Sequence, residues 1–276
     1  MLEKRLSSVD GVGLRVFHSQ QRPDAAILLI VLPLGIHARL VEPAVRQFAH
    51  DFTVITWEGR LVLEPELSLP SRTSLSIEAN VGDALAILDH FGVSKAFMIG
   101  YCSGATTALH IAAAAPTRIR KLALVNGAYF IVDQACALTQ YEKDIFQLAP
   151  QIASGLPQAK MVFDLLQAAS LRRRGAAAAT GEIYGRFDDA ESLHRFGVGL
   201  CHLIGSDVRQ VARQVATPTL LIAGKRDEQT HYSSSILIGA ELRERTMLID
   251  ADGDHYEFCR AKPDIVVPIM TWFATH

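Results

Sequence analysis

Apolar and polar positions along the chain fall into alternating blocks. Ile27 to Leu32 is a continuous β-prone apolar run, the pattern of a strand covered on both faces. Apolar residues recur at helical spacing from Ala38 to His50, and Phe52 to Trp57 reads as a second buried strand. Ser74 to Phe91 is amphipathic, with Ile77, Val81, Ala84, Leu85 and Leu88 on one helical face and Gly92 following as a stop signal. A strand at Ala96 to Ile99, a helix from Ser103 to Ala115 ended by Pro116, and a strand at Lys121 to Val125 continue the series. The last third repeats it: strand Thr219 to Ala223, helix Ser233 to Leu242, strand Thr246 to Ile249, and a final helix from about Pro263 to Phe273.

Strands alternating with helices predict an α/β fold, with a mostly parallel central sheet flanked by helices and right-handed crossovers. One stretch breaks the alternation. From Tyr129 to Val215 the pattern is helix and loop, with no convincing strand. The expectation is a core built from residues 1–128 and 216–276, with 129–215 inserted as a helical cap. Such a cap would cover the C-terminal sheet edge, where open α/β sheets bind ligands.

Composition narrows the function classes. Of 276 residues, 49% are hydrophobic, which suffices for a sizeable core and excludes a disordered chain. The 27 Lys and Arg against 29 Asp and Glu leave a net charge of −2, with no basic excess for nucleic acid. The one basic run, Arg172 to Arg174, ends an apolar helical stretch and reads as a helix C-terminus facing water. The N-terminal MLEKRLSSVDG lacks the apolar segment of a secretory signal. The longest apolar run, Ala25 to Ile36, is broken by Pro33 and is short of the ~20 residues that a membrane helix needs. Cys102, Cys136, Cys201 and Cys259 are scattered without CxxC spacing, so free thiols in a reducing cytoplasm are expected. The alanine run Ala176 to Ala179 is the one low-complexity tract.

The chemistry concentrates at Gly100-Tyr101-Cys102-Ser103-Gly104, between a strand and a helix. A sharp strand-to-helix turn needs small residues two before and two after its apex, because side chains there would strike neighbouring backbone. The two glycines bracket Cys102, whereas an apex at Ser103 would be flanked by Tyr101 and Ala105. A thiol therefore stands at the apex. The helix N-terminus favours its thiolate, and the Ser103 N–H points into the same space as an oxyanion donor. The bland alternative is a small buried cysteine in an ordinary connection.

A nucleophile needs a base and a group to orient that base. After strand Thr219 to Ala223 comes Gly224-Lys225-Arg226-Asp227, and after strand Thr246 to Ile249 comes Asp252-Gly253-Asp254-His255. The order is nucleophile, acid, histidine. Asp250, Asp252, Asp254 and Glu228 compete for the acid role, and Asp227 is preferred because it directly follows a core strand.

This arrangement resembles the α/β-hydrolase superfamily over nearly the whole chain, in a variant with a cysteine nucleophile as in thioesterase-, acyltransferase- and cyclase-like members. The resemblance implies an α/β-hydrolase fold with a Cys102–His255–Asp227 triad and no cofactor. The oxyanion loop, commonly His-Gly in relatives, reads Leu32-Pro33-Leu34-Gly35 here, which makes Leu34 the second donor by position. Trp57 and Arg60 sit where relatives border the pocket, and with Tyr101 and Tyr129 they are candidates for substrate contact. Equally, Trp57 and Arg60 can be a strand-end aromatic and an ion-pair partner.

A cysteine beside imidazole forms a thioester acyl-enzyme, which passes its acyl group to amines or thiols more readily than an oxygen ester does. The expected activity is acyl transfer or thioester and ester hydrolysis on a small-molecule or carrier-bound acyl substrate. The cap's aromatic and apolar residues, among them Tyr129, Phe130, Tyr141, Phe146, Met161, Phe163, Tyr184 and Phe196, are its candidate lining. Two other classes stay open: a silent hydrolase-fold binding module, and a cofactor-free lyase or cyclase with His255 as base. No GxGxxG after the first strand, Walker motif or HExxH occurs, so neither a nucleotide nor a metal is implied. Monomer and homodimer are both open.

Overall fold

The computed structural model describes residues 1–22, 24–64, 71–173 and 187–275. Ala176 to Ala179, Tyr184 and Arg174 lie outside them, and the side chains of Arg172 and Arg173 are not described. Eight strands form one sheet: β1 (Leu2–Ser7), β2 (Gly13–His18), β3 (Ile27–Val31), β4 (Thr53–Trp57), β5 (Ala96–Tyr101), β6 (Ile119–Val125), β7 (Thr219–Gly224) and β8 (Arg245–Asp250). Their order is β1-β2-β4-β3-β5-β6-β7-β8. The first two pairings, β1 with β2 and β2 with β4, are antiparallel, and every other pairing is parallel.

The parallel strands are apolar on both faces because helices cover both. Leu29 and Val31 of β3 join Met98 of β5 under α2 (Ile77–His90) and α3 (Ser103–Ala114). Leu28 and Ile30 join Phe97, Ile99 and Tyr101 on the opposite face, under α1 (Glu42–Phe48) and a C-terminal helix at Pro263–Ala274. From that last helix, Ile265, Val266, Ile269 and Phe273 are buried, each contributing roughly 1.5–3 kcal/mol. The segment Ala38 to His50 is helical in two parts. A single 3₁₀ turn, Ala38–Val41, precedes α1, which begins where Pro43 fits a first helical turn.

Between β6 and β7 the chain forms α4 (Gln140–Ser154), α5 (Leu156–Arg173), α6 (Ala190–Ile204) and α7 (Val208–Gln214), followed after β7 by α8 (Tyr232–Glu241) and, after β8, by α9 (Pro263–Ala274). Helices α4, α5 and α6 share an apolar cluster with Leu61, Val62, Leu75 and Ile77 of the core. Buried Arg195 of α6 donates to the carbonyls of Leu61 (3.0 Å) and Glu64 (3.2 Å), tying that helix to the loop after β4. Thr139 and Glu142 start α4 with reciprocal hydrogen bonds: Glu142 N–H to Thr139 Oγ1 (3.0 Å) and Thr139 N–H to Glu142 Oε2 (2.8 Å).

Candidate active site

Cys102 stands between β5 and α3 with φ 51° and ψ −127°. A non-glycine residue in this region costs on the order of 1–3 kcal/mol and persists only where its surroundings enforce it. Three backbone bonds do so. Cys102 N–H donates to Val125 O (3.0 Å), and Cys102 O accepts from Ala105 N–H (2.9 Å) and Ala128 N–H (3.0 Å). The glycine bracket has a direct steric reason. A Cβ on Gly100 would lie 2.7 Å from both Ala105 Cα and Ala108 Cβ, and one on Gly104 would lie 2.2 Å from Val31 O. The elbow is thus pressed against both its own helix and strand β3, and the thiol is lifted to a partly exposed position.

The loops after β7 and β8 bring the other two groups to it. His255 Nδ1–H donates to Asp227 Oδ2 at 2.7 Å. Asp227 is fixed in turn by Gln229 N–H (2.7 Å) and Thr230 N–H (2.8 Å) on Oδ1, and by the Thr230 hydroxyl (2.9 Å) on Oδ2. Burial disfavours the His255 imidazolium, but the Asp227 and Cys102 charges and hydrogen bonds to both outweigh it, and the pKa is pushed up to about 10. The imidazole is thus held by the carboxylate on one side and shares a cavity with the Cys102 sulfur. The competing acids are engaged elsewhere: Asp252 pairs with Arg226 (3.0 Å), Asp254 with Arg260, Asp250 accepts from Asp252 N–H, and Glu228 is exposed.

Residues the sequence did not single out hold this arrangement. Asn126, at the end of β6 with φ 46°, donates from Nδ2 to the Asp254 (3.0 Å) and His255 (3.3 Å) carbonyls and accepts from Gly224 N–H (3.0 Å). It clamps the loops that carry acid and base. A polar residue closing a buried strand at the C-terminal sheet edge was the available signal.

Cys102, Ser103 and His255 line one narrow cavity with Leu34, Ile36, Leu40, Phe130, Tyr141, Glu142, Ile145, Phe196, Leu200 and Gln229. Its volume, measured to the centres of water-sized spheres, is ≈ 40 Å³. Ser103 begins α3, so its N–H has no acceptor within the helix and suits an oxyanion. The Leu34 N–H, expected as second donor, is already engaged: it donates to Ser103 Oγ at 3.0 Å.

Of the residues expected at the substrate, Tyr101 borders the cavity, and Trp57, Arg60 and Tyr129 do not. Tyr101 is buried, and its hydroxyl donates to His255 O (2.9 Å), so it supports the histidine loop although it borders the cavity. Trp57 ends β4 on the face covered by α2 and α3, away from the thiol. Tyr129 is buried in that same apolar layer, while its neighbours Ala128 and Phe130 face the cavity. Arg60 is buried against Asp10 (2.6 Å) and Asp83 (3.2 Å). Of the other aromatic candidates, Tyr141, Phe130 and Phe196 reach the lining, whereas Phe146 and Phe163 do not and Met161 is exposed.

Among the described residues no group of three or more His, Cys, Asp or Glu is placed to hold a metal, and no helix is long and apolar enough to cross a membrane. Residues 68–259 match the family described as alpha/beta hydrolase fold. An L-allo-isoleucyltransferase from Pseudomonas savastanoi pv. glycinea is 25% identical over 257 residues, 90% of this chain and 87% of that protein. The RutD protein of Stutzerimonas stutzeri, named for carbamate hydrolysis, is 26% identical over 76% of this chain and 77% of its own. The crystal structure of the enol-lactonase from Burkholderia xenovorans LB400 shares the fold, with a TM-score of 0.75 at 17% identity over 99% of this chain and 100% of that one. These relatives are hydrolases and an acyl-transfer enzyme. The match extends over more than half of the sequence and agrees with the strand order: the chain belongs to the alpha/beta hydrolase fold family.

Proposed function

We propose that this chain is a cysteine-dependent acyltransferase that moves an acyl group from a thioester donor to a thiol acceptor through an acyl-Cys102 intermediate. The observation that carries this reading is the sulfur on a strained elbow, lining one cavity with an imidazole that a buried carboxylate orients. The similarity to a protein named L-allo-isoleucyltransferase supports transfer.

The reaction balances without a cofactor. The Cys102 thiolate attacks the donor's carbonyl carbon, and the carbonyl π pair moves to oxygen. The Ser103 N–H stabilises that oxyanion. The Ser103 hydroxyl, held by the Leu34 N–H, is free to donate a second hydrogen bond. Collapse expels the donor thiolate, which takes the proton from the His255 imidazolium. The acceptor thiol then gives its proton back to His255 as its sulfur attacks acyl-Cys102. Collapse releases the new thioester and restores the thiolate–imidazolium pair. Helices α4 to α6 act as the cap that keeps water from competing. A carrier-bound thioester is the natural substrate form, and the reducing cytoplasm is the compartment that keeps Cys102 a thiol.

The Cys102→Ser variant tests transfer against hydrolysis. With an acyl thioester donor and a thiol acceptor, the serine enzyme shifts products toward free acid, because an oxygen ester transfers to thiols less readily. An unchanged ratio of free acid to new thioester contradicts transfer as the native reaction.

A further inference from the structure

One charged group in the cavity is not used by the reaction just described. Glu142 is only 3% exposed, yet it lines the same cavity as Cys102. Its Oε2 accepts two backbone hydrogen bonds, from Thr139 N–H (2.8 Å) and His231 N–H (3.2 Å). Its Oε1 accepts none from the described residues. No lysine or arginine among the described residues lines the cavity, whose walls are mostly apolar, and the His255 imidazolium in that lining is already paired with Asp227. The Asp227 carboxylate repels a second negative charge there.

A carboxylate oxygen that opens onto a mostly apolar cavity without a protein donor is best matched by a cation on the ligand. Burial already pushes the Glu142 carboxyl up from its ordinary value, against the hydrogen bonds from Thr139 and His231. A carboxylate or phosphate on the substrate would add repulsion. A hydroxyl would leave the charge uncompensated. A single carboxylate without neighbouring ligands does not make a metal site. An ammonium supplies the missing charge and donates directly to Oε1.

We propose that Glu142 Oε1 seats an ammonium group on the acyl substrate, so that the substrates are aminoacyl thioesters rather than plain acyl thioesters. This rests on the acyl-Cys102 reading for the reaction, but the recognition itself needs only the cavity. It also gives the residue two separable jobs. As the third residue of α4 it caps the helix through Oε2, and glutamine performs that job equally well. Charge recognition through Oε1 is lost in glutamine.

The experiment compares the N-acetylcysteamine thioesters of L-isoleucine and of 3-methylpentanoic acid, its des-amino analogue, with wild-type protein and Glu142→Gln. The wild type acylates faster with the isoleucyl thioester. Glu142→Gln lowers kcat/KM for that substrate by about ten- to a hundredfold, the range for losing a charged hydrogen bond, and leaves the des-amino substrate little changed. Equal losses on both substrates, or none on either, overturn the proposal. A second arm separates its fate from that of the acyl-enzyme. Binding of L-isoleucinamide and 3-methylpentanamide is measured by calorimetry on Cys102→Ala and on Cys102→Ala with Glu142→Gln. Tighter binding of the ammonium ligand that disappears with Glu142→Gln upholds recognition even if no thioester acylates the protein. Equal binding of the two amides overturns it. If the glutamine variant does not fold, the wild type's preference between the two thioesters decides, and no preference for the aminoacyl one overturns the assignment.

Discussion

Gly104→Ala is the sharpest test of how the elbow is built. The new Cβ would lie 2.2 Å from Val31 O, 2.7 Å from Leu32 O and 2.8 Å from Leu32 C. All three are backbone atoms in or just after β3, a central strand paired with both β4 and β5, so none can swing aside. Ordinary contact begins near 3.4 Å, so α3 must move away from β3 by about 1 Å. Overpacking of this kind costs about 1–3 kcal/mol, which for a chain of this size lowers Tm by about 2–4 °C per kcal/mol. Chemistry suffers more than stability, because the helix carries Cys102 and Ser103 at its start. A displacement of about 1 Å at the reacting atoms is worth about a hundredfold in rate. The assay is thermal melting alongside the rate of acyl-adduct formation from an acyl thioester. A variant that melts several degrees lower and acylates about a hundredfold more slowly fits. Wild-type melting and wild-type acylation would refute the claim that the elbow is wedged against β3.

Two further predictions follow from the site. Ser103→Ala removes the hydroxyl that accepts from Leu34 N–H, and kcat falls by about 10²-fold with KM little changed, as for an oxyanion donor; a loss confined to KM would assign Ser103 to binding instead. The His255 imidazole titrates near pH 10 by NMR in the wild type and at a lower pH in Cys102→Ala, which lacks the sulfur's charge and hydrogen bond. Because the folded pKa is raised, the stability linked to this charge is complete below about 6.5 and is lost as pH rises through about 10. An imidazole that titrates identically with and without Cys102 would contradict the contact.

The central strands and the elbow were legible because burial on both faces leaves uninterrupted apolar runs and because steric exclusion leaves only glycine beside the apex. The β1–β2 hairpin was not, since five of the six residues of the edge strand β1 are exposed and carry little hydrophobic signal. His255 and Asp227 stand out by their place after core strands, a property of the topology that also brings the two side chains together. Asn126 and Glu142 escaped notice because single polar residues gain their meaning only where distant loops converge. Tyr129 and Phe130 are both expected in the lining, and only Phe130 reaches it, for a related reason. They lie outside regular structure, and Phe130 has φ 52°, so no periodicity says which of two adjacent aromatics turns inward. Trp57 followed strand parity instead: like Ile55, it faces the layer beneath α2 and α3.

Everything depends on where the acyl group travels. Intact-mass analysis after brief exposure to an acyl thioester, followed by peptide mapping, tests this most directly. The account predicts one added acyl mass on the wild type, located at Cys102, discharged by a thiol acceptor, and missing from Cys102→Ala protein that melts like the wild type. Turnover that persists in Cys102→Ala, or an adduct at another residue, would contradict it.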